Sequence, residues 1–100
     1  MEDPFEYLTG EQVEHAFEVQ RLINDGSAWR LEGSYGREMM RMIQDGYCVL
    51  GREDFHDAYG NHIPSRTQVE PGTKGSVEYV ANLHGSDWAE RMDLVAAVRA

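Results

Sequence analysis

Apolar residues recur at helical spacing in three stretches of the chain. In the first, Val13, Ala16, Phe17 and Ile23, with Val19 and Leu22 beside them, form one stripe, while Glu11, Glu14, Glu18 and Arg21 fall on the other side. Thr9 with Gln12 three residues later is a capping box that starts this helix, and Asn24-Asp25-Gly26 stops it. Ser27 caps a short element, Ala28-Trp29-Arg30-Leu31, broken by Gly33. Ser34 then opens a helix to about Gln44, with Tyr35, Met39, Met42 and Ile43 on one face and Arg37 and Arg41 on another. Asp45-Gly46 ends it as Asp25-Gly26 ends the first.

The middle of the chain loses that period. Tyr47-Cys48-Val49-Leu50 is short, apolar and β-prone, and reads as a strand. Residues 51–76 are rich in Gly, Pro and polar groups. Gly60-Asn61 predicts a type II′ hairpin between Tyr59 and Ile63, with Pro64 confining the second arm to an edge, and Pro71-Gly72 predicts a further turn. For residues 77–80 strand and helix remain equal alternatives. Period returns in the tail, where Trp88, Met92 and Val95 follow an Asp87/Glu90 capping-type pair towards the C-terminus. The expected fold class is α+β: an N-terminal helical hairpin or three-helix unit packed around Phe17, Trp29, Tyr35, Met39 and Ile43, a short β-hairpin region, and a C-terminal helix. Residues 1–80 are expected as one small globular domain and 81–100 as a helical extension.

Charge adds a direction to this picture. The net charge is −9, and residues 1–25 carry seven acids against Arg21 alone. Such a surface repels phosphates and disfavours nucleic acid as a partner. No apolar run approaches the roughly 20 residues of a transmembrane helix, and the acidic stretch from Met1 to Glu6 lacks the basic and then apolar character of a signal peptide. A cytoplasmic protein without a membrane partner is expected. Cys48 is the only cysteine, which rules out an internal disulfide and a Cys-rich zinc site.

Four groupings invite a chemical reading. Asp54, His56, Asp57 and His62 are metal-type ligands, but they match no established ligand spacing, so no metal or other cofactor is expected. Cys48 with His56, or Ser65 with His62 and Asp57, supply the residue types of a nucleophilic site without its geometry. Gly72-Thr73-Lys74-Gly75-Ser76 has the glycines and lysine of a phosphate loop in the wrong order. A helix-turn-helix would project Arg30, Arg37 and Arg41 towards a DNA groove, but Glu32, Glu38 and Asp45 interrupt the basic footprint. Pairing of these arginines with acids of the first helix is the simpler expectation.

The segments Gly26-Ser27-Ala28-Trp29-Arg30-Leu31-Glu32-Gly33-Ser34-Tyr35-Gly36-Arg37, Gly46-Tyr47-Cys48-Val49-Leu50-Gly51, Tyr59-Gly60-Asn61-His62-Ile63-Pro64-Ser65-Arg66 and Pro71-Gly72-Thr73-Lys74-Gly75-Ser76 together resemble a family of small actinobacterial phage proteins over about residues 12–80. The resemblance implies a phage origin and an accessory protein that binds a host protein; it transfers no catalytic residue. The expected function is therefore non-enzymatic modulation of a host protein. Its contact surface would be Glu11, Glu14 and Glu18, or the tail helix at Trp88 and Met92, and a homodimer is compatible with the chain's size. A small helix-turn-helix DNA-binding regulator using Arg30, Arg37 and Arg41 is the alternative.

Overall fold

The capping box forms as the sequence predicts. Gln12 N–H donates to Thr9 Oγ1 at 3.1 Å and Thr9 N–H to Gln12 Oε1 at 2.9 Å, opening helix α1 at Gly10–Asp25. Gly26 closes it in the left-handed conformation at φ 86°, and a Cβ there would sit 2.6 Å from the Phe55 ring. Both backbone and packing thus require glycine. The computed structural model describes residues 9–30, 34–57 and 59–95. They form four α-helices and one two-stranded antiparallel sheet, a mixed α+β fold of mostly helical content.

A single 3-10 turn at Ser27–Arg30 buries Ala28 and Trp29, and α2 spans Ser34–Gln44 with Met39 and Ile43 buried. The expected Leu31, the Gly33 break and the side chains of Ser34 and Tyr35 lie outside the described residues. Strands β1 (Phe55–His56) and β2 (His62–Ile63) pair Phe55 with Ile63 and His56 with His62. Residues 57–61 join them, so the expected two-residue turn at Gly60-Asn61 is replaced by a five-residue loop. The reason lies in Asp57, whose carboxylate accepts from the N–H groups of Tyr59 at 2.9 Å and Asn61 at 2.8 Å and pulls the loop around itself.

Residues 77–80 resolve as helix: α3 covers Val77–His84, capped by Ser76 Oγ, which accepts from Tyr79 N–H at 3.1 Å. Gly85 alone separates α3 from α4 at Ser86–Leu94. Helix α4 has no side-chain cap, so the Asp87/Glu90 pairing does not form, and Val95 is already extended. Residues 96–100, the rest of the expected tail helix, lie outside the described residues. Helix α4 is also no extension. Trp88, Ala89 and Met92 are buried in the same core as Ala16, Val19, Ile23, Trp29, Met39, Ile43 and Val80, and the Trp88 ring stacks on Phe17 at 5.9 Å.

Tyr47–Leu50 is not a strand. The segment runs through the core with Cys48, Val49 and Leu50 buried. Met42 O accepts from the N–H groups of Tyr47 and Cys48, and side chains rather than a neighbouring strand meet Val49 N–H and the carbonyls of Tyr47, Val49 and Leu50. Gln20 is the main substitute. Its Oε1 accepts from Val49 N–H at 2.8 Å and its Nε2 donates to Val49 O at 2.9 Å, so one primary amide does what a paired strand would do. Arg66 Nε donates to Leu50 O at 2.8 Å, Trp88 Nε1 to Tyr47 O at 2.8 Å, and Leu50 N–H to Gly75 O at 3.0 Å.

Candidate functional site

Burial of Ala16, Val19, Gln20 and Ile23 on one side of α1 fixes which side faces solvent. Glu11, Glu14 and Glu18 all lie on that exposed side, one turn apart. Glu11 stands in the first turn, where the partial positive charge of the helix N-terminus favours a carboxylate.

Helix α2 runs beside α1, and between them lies a groove of about 310 Å³ lined by Glu11, Gln12, His15, Ala16, Glu38, Met42 and Tyr47. Its outer lining is polar: Glu11, Gln12 and His15 are exposed, and Glu38 is half-exposed. Its inner lining is apolar, with Ala16 buried and Met42 and Tyr47 half-buried. His15 Nε2 approaches Glu38 Oε1 at 3.4 Å, the contact that joins the two helices across the opening. Tyr47 is fixed from behind by stacking on His84 at 4.2 Å and by an edge contact with Trp88 at 6.4 Å. His84 is itself held, its Nε2 donating to Asp45 O at 2.9 Å.

The other expected contact surface is absent. Trp88 and Met92 are each 0% exposed, because the apolar side of α4 closes the core rather than facing a partner. Arg30, Arg37 and Arg41 are exposed, but among the described residues none makes an ion pair with an acid of α1. The link between α1 and α2 is His15–Glu38 instead. Arg37 and Arg41 stand one turn apart on α2, with the half-exposed Glu38 beside them turned towards His15.

In the hairpin, His62 Nε2 lies 2.9 Å from Asp54 Oδ2, and the opposed rings of His56 and His62 are 5.5 Å apart. His62's hydrogen bond holds the Asp54 carboxyl below the usual carboxylate range. Asp57 is lowered too, chiefly by the backbone N–H of Asn61, and its oxygens are taken up by the loop. Among the described residues no three His, Cys, Asp or Glu side chains are arranged to hold a metal ion.

The nucleophile pairings do not assemble either. Cys48 is fully buried, where loss of water raises its thiol pKa strongly and leaves Sγ to donate to Ala16 O at 3.5 Å. Ser65 is buried beside Thr67, their hydroxyls 3.1 Å apart. In the glycine-lysine loop, Ser76 Oγ accepts from Gly72 N–H at 3.0 Å and donates to Thr73 O at 2.7 Å. That hydroxyl is occupied within the loop itself.

Two residues that pattern reasoning passed over hold the structure together. Gln20 sits among the apolar positions of α1, and Arg66 looks like one more loop arginine. Arg66 is 7% exposed and donates to Leu50 O, to Asn24 Oδ1 at 3.0 Å and to Asp93 Oδ1 at 2.7 Å. Burial lowers its pKa from the ordinary guanidinium value, while Asp93 works in the opposite sense. Asn24 Nδ2 in turn donates to Val95 O at 2.7 Å, and Arg52 also donates to Asp93 O.

No protein-family model matches the chain, and no curated protein and no solved structure matches it either. Among the described residues no helix is long and apolar enough to cross a membrane.

Proposed function

We propose that the protein is a non-enzymatic binding module that docks on a basic surface of a partner protein through the acidic side of α1. The observation that carries this reading is the exposed line of Glu11, Glu14 and Glu18, with Glu38 of α2 adding a carboxylate across the groove. Carboxylates set in a row on a rigid helix speed encounter with a positively charged surface and fix its register. The resemblance to actinobacterial phage proteins supports a host protein as that partner and the host cytoplasm as the place of action.

The test removes charge without removing shape. A variant carrying Glu11→Gln, Glu14→Gln and Glu18→Gln keeps exposed, isosteric side chains and should stay within about 1 kcal/mol of the parent chain's stability, the loss at the helix start being offset by relief of the Glu14–Glu18 repulsion. Affinity purification from host lysate should recover a partner with the parent chain and lose it with this variant. A control with the same charge loss elsewhere, Glu70→Gln, Glu78→Gln and Glu90→Gln, should retain it. Capture should also weaken as salt screens the contact. If the two triple variants recover the same proteins, the acidic side of α1 is not the docking surface.

A further inference from the structure

We infer that the groove between α1 and α2 is a pocket for one arginine side chain, presented by a partner segment with an aliphatic residue beside it. The inference rests on the partner-binding reading and names the group that would anchor the partner. The groove, at about 310 Å³, lies at the small end of binding pockets and suits a side chain with one neighbour rather than a larger ligand.

Its lining divides as an arginine does. Ala16, Met42 and Tyr47 give an apolar inner surface for the methylene stem and for an aliphatic neighbour. Glu11 of α1 and Glu38 of α2 both line the groove, Glu11 exposed and Glu38 half-exposed. A planar guanidinium can satisfy two carboxylates at once and lie against a tyrosine ring, whereas an ammonium acts as a point charge. Tyr47 needs no rearrangement to serve, because His84 and Trp88 already fix its ring.

Among the described residues, His15 is the group that engages Glu38 across the opening. Its 3.4 Å approach is longer than a good charge-assisted hydrogen bond, and the two side chains are 51% and 41% exposed. A guanidinium therefore displaces a weak contact and gains a better one. Apolar groups alone would leave the carboxylates without a partner, and an acidic ligand would be repelled by both.

A capped Gly-Leu-Arg-Leu-Gly peptide titrated into the full chain, followed by backbone amide shifts, tests this directly. Shifts should concentrate at Gln12, His15, Ala16, Met42 and Tyr47. Replacing the peptide's arginine by lysine should weaken binding about fivefold, and replacing it by norleucine should abolish it. Glu38→Gln and Glu11→Gln should each weaken binding about tenfold, while Glu90→Gln changes it less than about twofold. Equal binding of the arginine and lysine peptides, or shifts centred away from the groove, would overturn the pocket. If the peptide leaves the groove untouched while partner capture still needs Glu14 and Glu18, the pocket fails and the binding module stands. If capture is indifferent to those glutamates, the docking reading fails on its own.

Discussion

The α1–α2 half and the segment from Tyr47 to Ser76 are held by different kinds of force. Helices α1 and α2 satisfy their own backbone and bury a stripe of apolar side chains, so each is specified largely by residues within four positions of one another. Among its described residues the middle segment contains two short strands, yet Cys48 and Val49 are as buried as any residue in α1. Val49 is satisfied by Gln20 from 29 positions upstream and Leu50 O by Arg66 from 16 downstream. An apolar run without a strand partner is stable only where distant polar side chains reach it. That dependence makes the middle segment the more fragile half.

The sharpest test removes Arg66. Arg66→Leu keeps apolar bulk but leaves Leu50 O without its side-chain donor and Asp93 without its cation, while Asn24 Oδ1 loses one of two donors and keeps Gln20 Nε2. The two charge-assisted hydrogen bonds lost from Leu50 O and Asn24 Oδ1, at about 1.5–3 kcal/mol each, amount to about 3–6 kcal/mol, a large part of the roughly 5–15 kcal/mol that holds a domain together. Asp93→Asn separates the causes. Asp93 is 47% exposed, so its ion pair contributes about 1 kcal/mol or less. Urea midpoints should therefore shift far more for Arg66→Leu than for Asp93→Asn. Equal shifts would mean that the ion pair, not backbone satisfaction, matters most.

Gln20→Leu is the next largest. It places an apolar side chain of similar size in α1, improving that helix's stripe while stripping Val49 of both hydrogen bonds. Two buried backbone groups left unpaired cost about 2–4 kcal/mol. The same midpoint measurement checks it, and a stabilised Gln20→Leu would break the contrast between the two halves. At the other end of the scale, Thr9→Ala removes one exposed cap bond from α1 and should cost about 1 kcal/mol. Hydrogen exchange should place that loss in the first turn of α1 and leave Val49 protected.

These unequal costs track what can be read from the chain. The capping box at Thr9 and Gln12, the Asp-Gly stops and the bounds of α2 were legible because each is decided by neighbours in sequence. The strand reading of Tyr47–Leu50 failed because an apolar run reports burial and says nothing of what pairs with its backbone. Gln20 and Arg66 were illegible for the same reason: nothing near them in sequence shows which carbonyls they meet. The candidate site divides likewise. Exposure of Glu11, Glu14 and Glu18 follows from the stripe of α1 alone, whereas the groove needs α2 and Tyr47 brought against it. Trp88 and Met92 carried an amphipathic signal that a core helix and a partner-binding helix share, and tertiary packing decided for the core.

The smallest effect lies in the hairpin, where the middle segment's reliance on side-chain acceptors meets pH. Asp57 accepts from Tyr59 N–H, Asn61 N–H and Asn61 Nδ2, and Asp54 pairs with His62; both carboxyl groups are held below their ordinary value. A carboxyl with a lowered folded pKa adds its stability in full above the unfolded value, about 3.9 for aspartate, and loses it as pH falls through the folded one. The 57–61 loop should therefore hold its form at neutral pH and loosen only below about pH 4. The amide shifts of Tyr59 and Asn61 should move in that window while the buried amides of Val19 and Ile23 in α1 keep their protection from hydrogen exchange. Asp57→Asn should weaken the Tyr59 and Asn61 contacts at every pH and flatten the transition. If α1 loses exchange protection in the same window instead, the loop is coupled to the helical half more tightly than its hydrogen bonds imply.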